Sequence, residues 1–320
     1  MKRVSREQGM HFMFDKEIPP VMRVAPREIF ALETEDNTCG RIKSDRDLPT
    51  SEVLSDLLET SPILGNPLNG PVYLDGAQKG DVLVVKVVDV IPADQGYTAL
   101  VPGTKSFNPL RDSASWPECQ GPLTRIIKHV PGPSGTTSDG KGIFNPKITW
   151  DLKPFIGTIG VAPELEVVSS VSGQGAWGGN LDCRDISKGN ELHLPVRVDG
   201  GLLFVGDAHA TQSDSEFTGL ADECRAEVVL SCDVIKKKTI PYARIQKPNS
   251  IIQLNNGLPL ERSITQAFLW LMEWLVDEYK MDKRDACMHM SANPDVRINV
   301  YQMAGGLATV GVEFPKKYLV

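Results

Sequence analysis

The chemistry-bearing side chains of this sequence crowd into one run, Gly206-Asp207-Ala208-His209-Ala210-Thr211-Gln212-Ser213-Asp214-Ser215-Glu216. It follows directly on the apolar stretch 202–205, so its polar residues emerge at a strand end, where scaffolded loops commonly carry function. On an extended backbone Asp207 and His209 point to one side, and Asp214 and Glu216 repeat the two-residue spacing. An imidazole among carboxylates suits a divalent cation with nitrogen and oxygen ligands, zinc being the obvious candidate. It equally suits a general-base pair working without metal, and a polar surface turn would have the same composition. A second run, Gly178-Gly179-Asn180-Leu181-Asp182, has two glycines that let backbone pass close to a ligand, with Asn180 and Asp182 offering oxygens. A third, Glu33-Thr34-Glu35-Asp36, gathers carboxylates at the end of an early strand. His11, His129 and His289 have no carboxylate or cysteine at ligand spacing and read as structural or exposed.

The elements that must position these runs are β through the first two thirds. Residues 27–34 alternate around Ile29 and Phe30, 70–74 form a short strand, and 81–91 make the strongest β-branched run. Tight glycine turns such as Asp75-Gly76-Ala77-Gln78-Lys79-Gly80 predict strands joined in sequence and hence largely antiparallel. Further strands are expected over 155–163, 192–198, 202–205 and 226–234. In 192–198 the apolar residues alternate with His193 and Arg197, which predicts one wet face and a surface His193. Residues 131–142, rich in Pro, Gly, Ser and Thr, read as a loop or flap. Apolar residues recur at i, i+3 and i+4 over 261–280, which predicts a helix, with Ser263 as its N-cap. A shorter helix is expected after the capping residue Asp282, and strands over 296–301 and 308–314. Many strands, two helices and then strands argue for a β-rich α+β fold. The expected division is a β-rich part over 1–200 and an α/β part over 201–320 that carries the acidic/His cluster and both helices, with a single intertwined domain as the alternative.

The chain has 320 residues, 41% of them hydrophobic and 23% charged, enough to bury a substantial core and unlike a disordered, collagenous or coiled-coil sequence. With 34 Lys+Arg against 41 Asp+Glu the net charge is −7, and no dense basic stripe could neutralise a phosphate backbone, so nucleic acid is not an expected partner. No stretch approaches the ~18 uncharged apolar residues of a membrane span, and the charged N-terminus lacks an apolar signal core. A cytoplasmic protein is expected. The six cysteines form no C-x-x-C pair and are expected to be reduced and mostly buried.

Other chemistries fit less well. Gly135-Thr136-Thr137-Ser138-Asp139-Gly140-Lys141 nearly matches a phosphate-binding loop, but Gly142 stands where a Ser or Thr must hold magnesium, with no strand before it or helix after it. No Gly-x-Ser-x-Gly elbow sits between a strand and a helix. Cys183 and Cys224 lie in ordinary stretches. Metal or carboxylate chemistry is the better reading.

Taken through Gly219, Ala221 and Glu223-Cys224, the 206–216 run resembles the Gly-Asp-Gly-His-Ala-x-Gln-Gly-Asp-Gly-Glu signature of the acetamidase/formamidase family. Gly70-Pro71-Val72-Tyr73-Leu74-Asp75-Gly76-Ala77-Gln78-Lys79-Gly80-Asp81 resembles a second block of that family. The segments 156–163 and 178–185 resemble two more, and 286–300 resembles its C-terminal helix and strand. The resemblance spans nearly the whole chain. Ala208, Ser213 and Ser215 stand where the signature has glycine, each adding a Cβ where backbone can pass close to a ligand.

The resemblance implies a β-sandwich-like core with a smaller α/β portion near the C-terminus, and a metal-assisted amidohydrolase releasing ammonia from a small linear amide. It points to Asp36, Asn180, Asp182, Asp207, His209, Asp214 and Glu216 as the site. On this reading His209, Asp182, Asp207 and Asp36 hold a divalent metal, zinc foremost with calcium or manganese as alternatives. Glu216 or Asp214 moves the water proton to the leaving amine, and Asn180 stabilises the oxyanion. Gly178, Gly179 and Gln212 contact the substrate. The rivals are a non-catalytic protein holding a small ligand or cation on the same scaffold, favoured by the three replaced glycines, and a hydrolase of cyclic amides. Family precedent and exposed edge strands imply a homodimer or homotetramer.

Overall fold

The β-branched run forms the strand Val82–Pro92 at the middle of a nine-stranded sheet. The computed structural model of the chain describes residues 1–50, 53–54, 57, 60–61, 63–102, 116–303 and 307–319. In that sheet the strands run Lys2–Val4, Ile29–Thr34, Ala226–Ile235, Val82–Pro92, Glu191–Pro195, Arg244–Gln246, Ser250–Gly257, Ala308–Pro315 and Arg297–Gln302. A seven-stranded sheet centres on Leu203–His209, which lies antiparallel between Phe155–Val161 and Leu68–Leu74. Gly178–Asn180 extends it beyond Phe155–Val161. A smaller four-stranded sheet is built from Gln95–Leu100, Leu123–Val130, Lys141–Asn145 and Ile148–Asp151.

The two large sheets share one core. Phe30, Leu32, Val85 and Val87 from the first pack in one apolar cluster with Leu68, Val72, Ile156, Ile159 and Phe204 from the second. This is the β-rich α+β architecture that the pattern of elements predicts. Both faces of Leu203–His209 are covered, which is why its sequence is apolar without alternation until Asp207. On the other side of the nine-stranded sheet lies the helix Leu260–Tyr279. Side-chain alternation along Ser250–Gly257 serves both layers, with Ile252 and Leu254 facing the inter-sheet core and Ile251 facing the helix beside Leu271 and Leu275.

Three expectations change. The strands are mostly antiparallel, but in the large sheets many neighbours are far apart in sequence: Ala226–Ile235 inserts between Ile29–Thr34 and Val82–Pro92. Glycine turns mark where strands stop but not which strand comes alongside, and burial of the shared core decides the order. His193 is buried, because the face that alternation marks as wet is roofed. Its cross-strand partner Arg244 lies over the Trp274 ring and pairs with Glu278 of the helix. Ser263 is not the N-cap, which is Pro259. Ser263 is buried inside the first turn, where its Oγ accepts from Asn255 Nδ2 at 3.1 Å. Asp282 does cap the second helix, Lys283–Ala292, by accepting from the amides of Arg284 and Asp285. Strands from either side of residue 200 interleave in both large sheets. Of the cysteines, Cys183, Cys224 and Cys232 are buried, Cys39 and Cys119 are half-buried and Cys287 is exposed, so half rather than most are buried.

Candidate metal centre

Gly157 makes the centre possible. Its carbonyl accepts from the amides of both Leu181 and Asp182 at 3.0 Å, which ties the 178–182 run to the strand Phe155–Val161. A Cβ at Gly157 would lie 2.6 Å from the Asp207 carbonyl oxygen and 2.7 Å from Asp182 Oδ1, so only glycine lets the two acids approach. Asp182, Asp207 and Glu216 all adopt left-handed backbone conformations, with φ of 43°, 53° and 45°. Ser215, one of the replaced glycines, has φ 71°. Such strain in non-glycine residues persists only where surrounding structure over-determines it, and it concentrates at functional sites.

The side chains converge on one imidazole. His209 Nε2 lies 3.4 Å from Asp207 Oδ1 and 3.2 Å from Glu223 Oε2. Ligand atoms of Asp182, His209 and Glu216 lie within 4.8 Å of one another, as do those of Asp207, His209 and Glu223. Asp207 Oδ2 accepts from Asn66 Nδ2 at 3.0 Å and lies 3.1 Å from Thr158 Oγ1, while Asp182 Oδ2 accepts from Gln302 Nε2. Each second oxygen is left unused. Asp182 Oδ1, Asp207 Oδ1, Glu223 Oε2 and His209 Nε2 are all buried without a hydrogen-bond partner.

Gln212 sets the imidazole tautomer. Its Nε2 donates to the carbonyls of Asp182 at 2.9 Å and Tyr301 at 2.8 Å, so its Oε1 faces His209 Nδ1 at 3.0 Å. An amide oxygen can only accept, so Nδ1 carries the proton and Nε2 is the nitrogen presented to the carboxylates. The Phe155 ring packs edge-on against the imidazole at 5.0 Å.

Burial, with neighbouring negative charge, raises the carboxyls of Asp182, Glu216 and Glu223. Burial, and then the Asp207 charge, push the Asp182 carboxyl up to about 7. Burial pushes Glu223 up to about 6, with Asp207 adding to the rise. Burial and Asp182 drive Glu216 well above the usual carboxylate range. For His209, burial alone would lower the imidazole, but Glu223 and Asp207 outweigh it and raise it well above its ordinary value. Four carboxylates around one nitrogen, out of water, need a positive charge to balance them. Two groups that share the His209 imidazole, one with Asp182 and Glu216 and the other with Asp207 and Glu223, offer the nitrogen-and-oxygen donor set of a borderline-to-hard divalent cation.

Asn180, Asp182, Asp207, Glu216, Glu223 and Gln302 line a cavity of about 240 Å³, while His209 is not among its lining residues. Glu216 also lines a second, larger cavity of about 620 Å³ with Trp150, Phe217 and Asp222. Of the residues singled out in the sequence, His209, Asp207, Asp182 and Glu216 come together. Asn180 lines the same cavity, with Oδ1 3.0 Å from Thr158 Oγ1 and Nδ2 donating to the Val171 carbonyl at 2.8 Å.

The others lie elsewhere. Asp36 is buried, but its Oδ1 accepts from Thr38 N, Thr38 Oγ1 and Gly40 N, so it shapes the 36–40 loop, and burial raises its carboxyl. Asp214 is exposed and pairs with Arg184. Gly178 and Gly179 are buried in strand pairing against Ile159 and Gly160, their φ of 106° and 116° serving close backbone approach rather than the cavity. Gln212 holds His209. Glu223 was missed as a site residue, although it belongs to the family block. Its backbone pairs with His209 and Tyr97, and neither pairing leaves a sequence spacing to read. Thr158, Asn66 and Gln302 are equally remote in sequence. His129 is buried with Nε2 3.2 Å from the Asp222 carboxylate, a structural pair beside the centre.

The acetamidase/formamidase family profile matches residues 1–176 and 169–293. The acetamidase of Mycolicibacterium smegmatis is 25% identical over 295 residues, 76% of this chain and 70% of that protein. The chain spans 60% to 70% of the length of the curated relatives it matches. Among solved structures, an acetamidase from Yersinia enterocolitica superposes with TM-score 0.86 at 29% identity, covering 100% of this chain and 93% of that one. An acetamidase from Bacillus halodurans superposes with TM-score 0.84 at 26% identity, covering 99% and 98%. By the extent of the family match and the fold it shares, the chain belongs to the acetamidase/formamidase family.

Proposed function

We propose that the chain is a metal-assisted amidohydrolase that cleaves the carbon–nitrogen bond of a small linear amide to a carboxylate and ammonia. The observation that carries this reading is the set of four buried atoms without a hydrogen-bond partner, Asp182 Oδ1, Asp207 Oδ1, Glu223 Oε2 and His209 Nε2, three of them on acids that line one cavity. The names of the relatives supply the reaction class: each is named as an acetamidase or a formamidase. The four atoms would hold a divalent cation, zinc first, with manganese and calcium compatible with the oxygen-rich set. When bound, such a cation supplies a Lewis acid for the amide carbonyl and lowers the pKa of water.

The chain's own groups do the rest. Gln212 keeps the His209 Nε2 lone pair turned toward the cluster. Glu216, buried at the edge of the cavity, takes the proton from the attacking water and delivers it to the amide nitrogen as the carbon–nitrogen bond breaks. The water oxygen ends in the carboxylate, and the nitrogen leaves as ammonia. Asn180, fixed by Thr158 and the Val171 carbonyl, borders the place where charge develops on the amide oxygen. A homodimer or homotetramer is the expected assembly, checked by light scattering. No helix among the described residues is long and apolar enough to cross a membrane.

The test is ammonia release from a panel of short amides by the purified protein, before and after chelation and with zinc, manganese or calcium restored. Activity lost on chelation and regained with one cation is the expected result. Activity indifferent to chelation would move the chemistry onto the carboxylates alone.

A further inference from the structure

The cavity that receives the cluster has two unlike halves. One half is the polar floor of acids, Asn180 and Gln302; the other is aliphatic, formed by Ile42, Leu54, Ile63, Val101, Val171 and Leu220. Ile42 and Leu54 are buried, Val101, Val171 and Leu220 are half-buried and Ile63 is exposed, so this wall runs from the packed interior out to the surface. Formamide has nothing, and acetamide only one methyl group, to place against it. The cavity measures about 240 Å³, whereas an apolar cavity of about 150 Å³ suffices for the six carbons of benzene.

We infer that the amide consumed here carries an uncharged aliphatic acyl group of about four to six carbons, seated against this wall, rather than a formyl or acetyl group. The inference rests on the amidase reading above. Size follows from the volume left once an amide group, a cation and a water occupy the polar half. The acyl side, not the nitrogen side, must meet the wall, because a leaving group released as ammonia carries no substituent. Neutrality follows from charge: among the described residues lining the cavity there is no lysine or arginine. A carboxylate or phosphate on the acyl chain would lie uncompensated beside Asp182, Asp207, Glu216 and Glu223. Among the described residues lining the cavity there is no aromatic ring either, so stacking does not recruit a benzoyl group. Burial of methylenes is the one source of selectivity the wall offers, and each is worth about threefold to fourfold in kcat/KM.

The experiment compares kcat/KM of the cation-loaded enzyme for formamide, acetamide, butyramide, isovaleramide, hexanamide, benzamide and succinamate. The expected result is a rise from acetamide to the four-to-six-carbon amides, with succinamate at least tenfold below butyramide. Val171→Phe and Leu220→Phe, each filling the wall from a different side, should lower the hexanamide-to-acetamide ratio at least tenfold, with circular dichroism and thermal melting reporting that each variant is folded. Acetamide as the best substrate, preference for benzamide, parity of succinamate with butyramide, or an unchanged ratio in both folded variants would overturn the inference while leaving the amidase reading intact. Silence on every amide would overturn both.

Discussion

Gln212 owes its place in the centre to two backbone carbonyls. With Nε2 committed to Asp182 O and Tyr301 O, its only free function is to accept the His209 Nδ1 proton. Gln212→Leu should therefore weaken cation binding about 10- to 100-fold, read by equilibrium dialysis, because a ligating imidazole depends on its second nitrogen's partner. Unchanged cation affinity with a raised KM would instead make Gln212 a substrate contact. Glu216 is separable from the ligands in the same way. Glu216→Gln should lower kcat about 10²- to 10⁴-fold with cation stoichiometry retained, the signature of a proton carrier. If metal analysis of the variant shows the cation lost, Glu216 is a ligand and the proton must travel by another group.

At the scale of elements, strand geometry brings the acids together. Gly157 stands opposite Asp207 across the Phe155–Val161 and Leu203–His209 pairing and accepts the Asp182 amide. Gly157→Ala has no room for its methyl, so it should destabilise the fold by about 1–3 kcal/mol and abolish cation binding together. Calorimetry with metal analysis checks both; a variant that melts normally and keeps its metal would show that the strands can move apart. A second element-level prediction concerns the start of Val82–Pro92. Burial pushes the Asp81 carboxyl up, but Lys236 Nζ and the amides of Lys237 and Gln78 outweigh it and hold it below its ordinary value. A depressed pKa contributes stability that is present above the unfolded value and disappears as pH falls through the folded one. Asp81→Asn should thus cost about 1–2 kcal/mol at pH 7, carried mainly by the backbone amides since Lys236 is half exposed. In urea titrations the gap from the unmodified protein should close below about pH 4.

For the whole molecule, a cation held at the centre would make it a stability element as well as a site. It lies where strands of the seven-stranded sheet, the 214–223 segment and Gln302 at the end of the nine-stranded sheet's edge strand meet, so a cation there ties distant parts of the chain together. Chelation should lower Tm by on the order of 5–10 °C, since saturating ligand at about a thousand times Kd contributes ~4 kcal/mol. Restoring the cation that supports turnover should recover the melting temperature. A Tm indifferent to chelation would mean that the cluster balances its charge by protons alone.

The sequence by itself determined the β-rich α+β class, the long helix and the capped second helix, because hydrophobic periodicity and capping are local. It also determined the principal cluster, since Asp207 and His209 are two apart on one strand and the signature around them is contiguous. Tertiary structure alone decided which acids serve the imidazole. Glu223 reaches His209 by cross-strand pairing, Asp214 sits two residues from Glu216 yet faces solvent beside Arg184, and Asp36 is turned inward to close its own loop. The left-handed backbone at Asp182, Asp207 and Glu216, which turns those carboxylates inward, is imposed by the surrounding packing and not by any preference of aspartate or glutamate. His193 shows the same limit, because alternation marks a face as polar while only the docked helix decides whether water reaches it. Spacing along the chain fixes direction within one element. Convergence of side chains from strands far apart in sequence is a property of how the sheets pack.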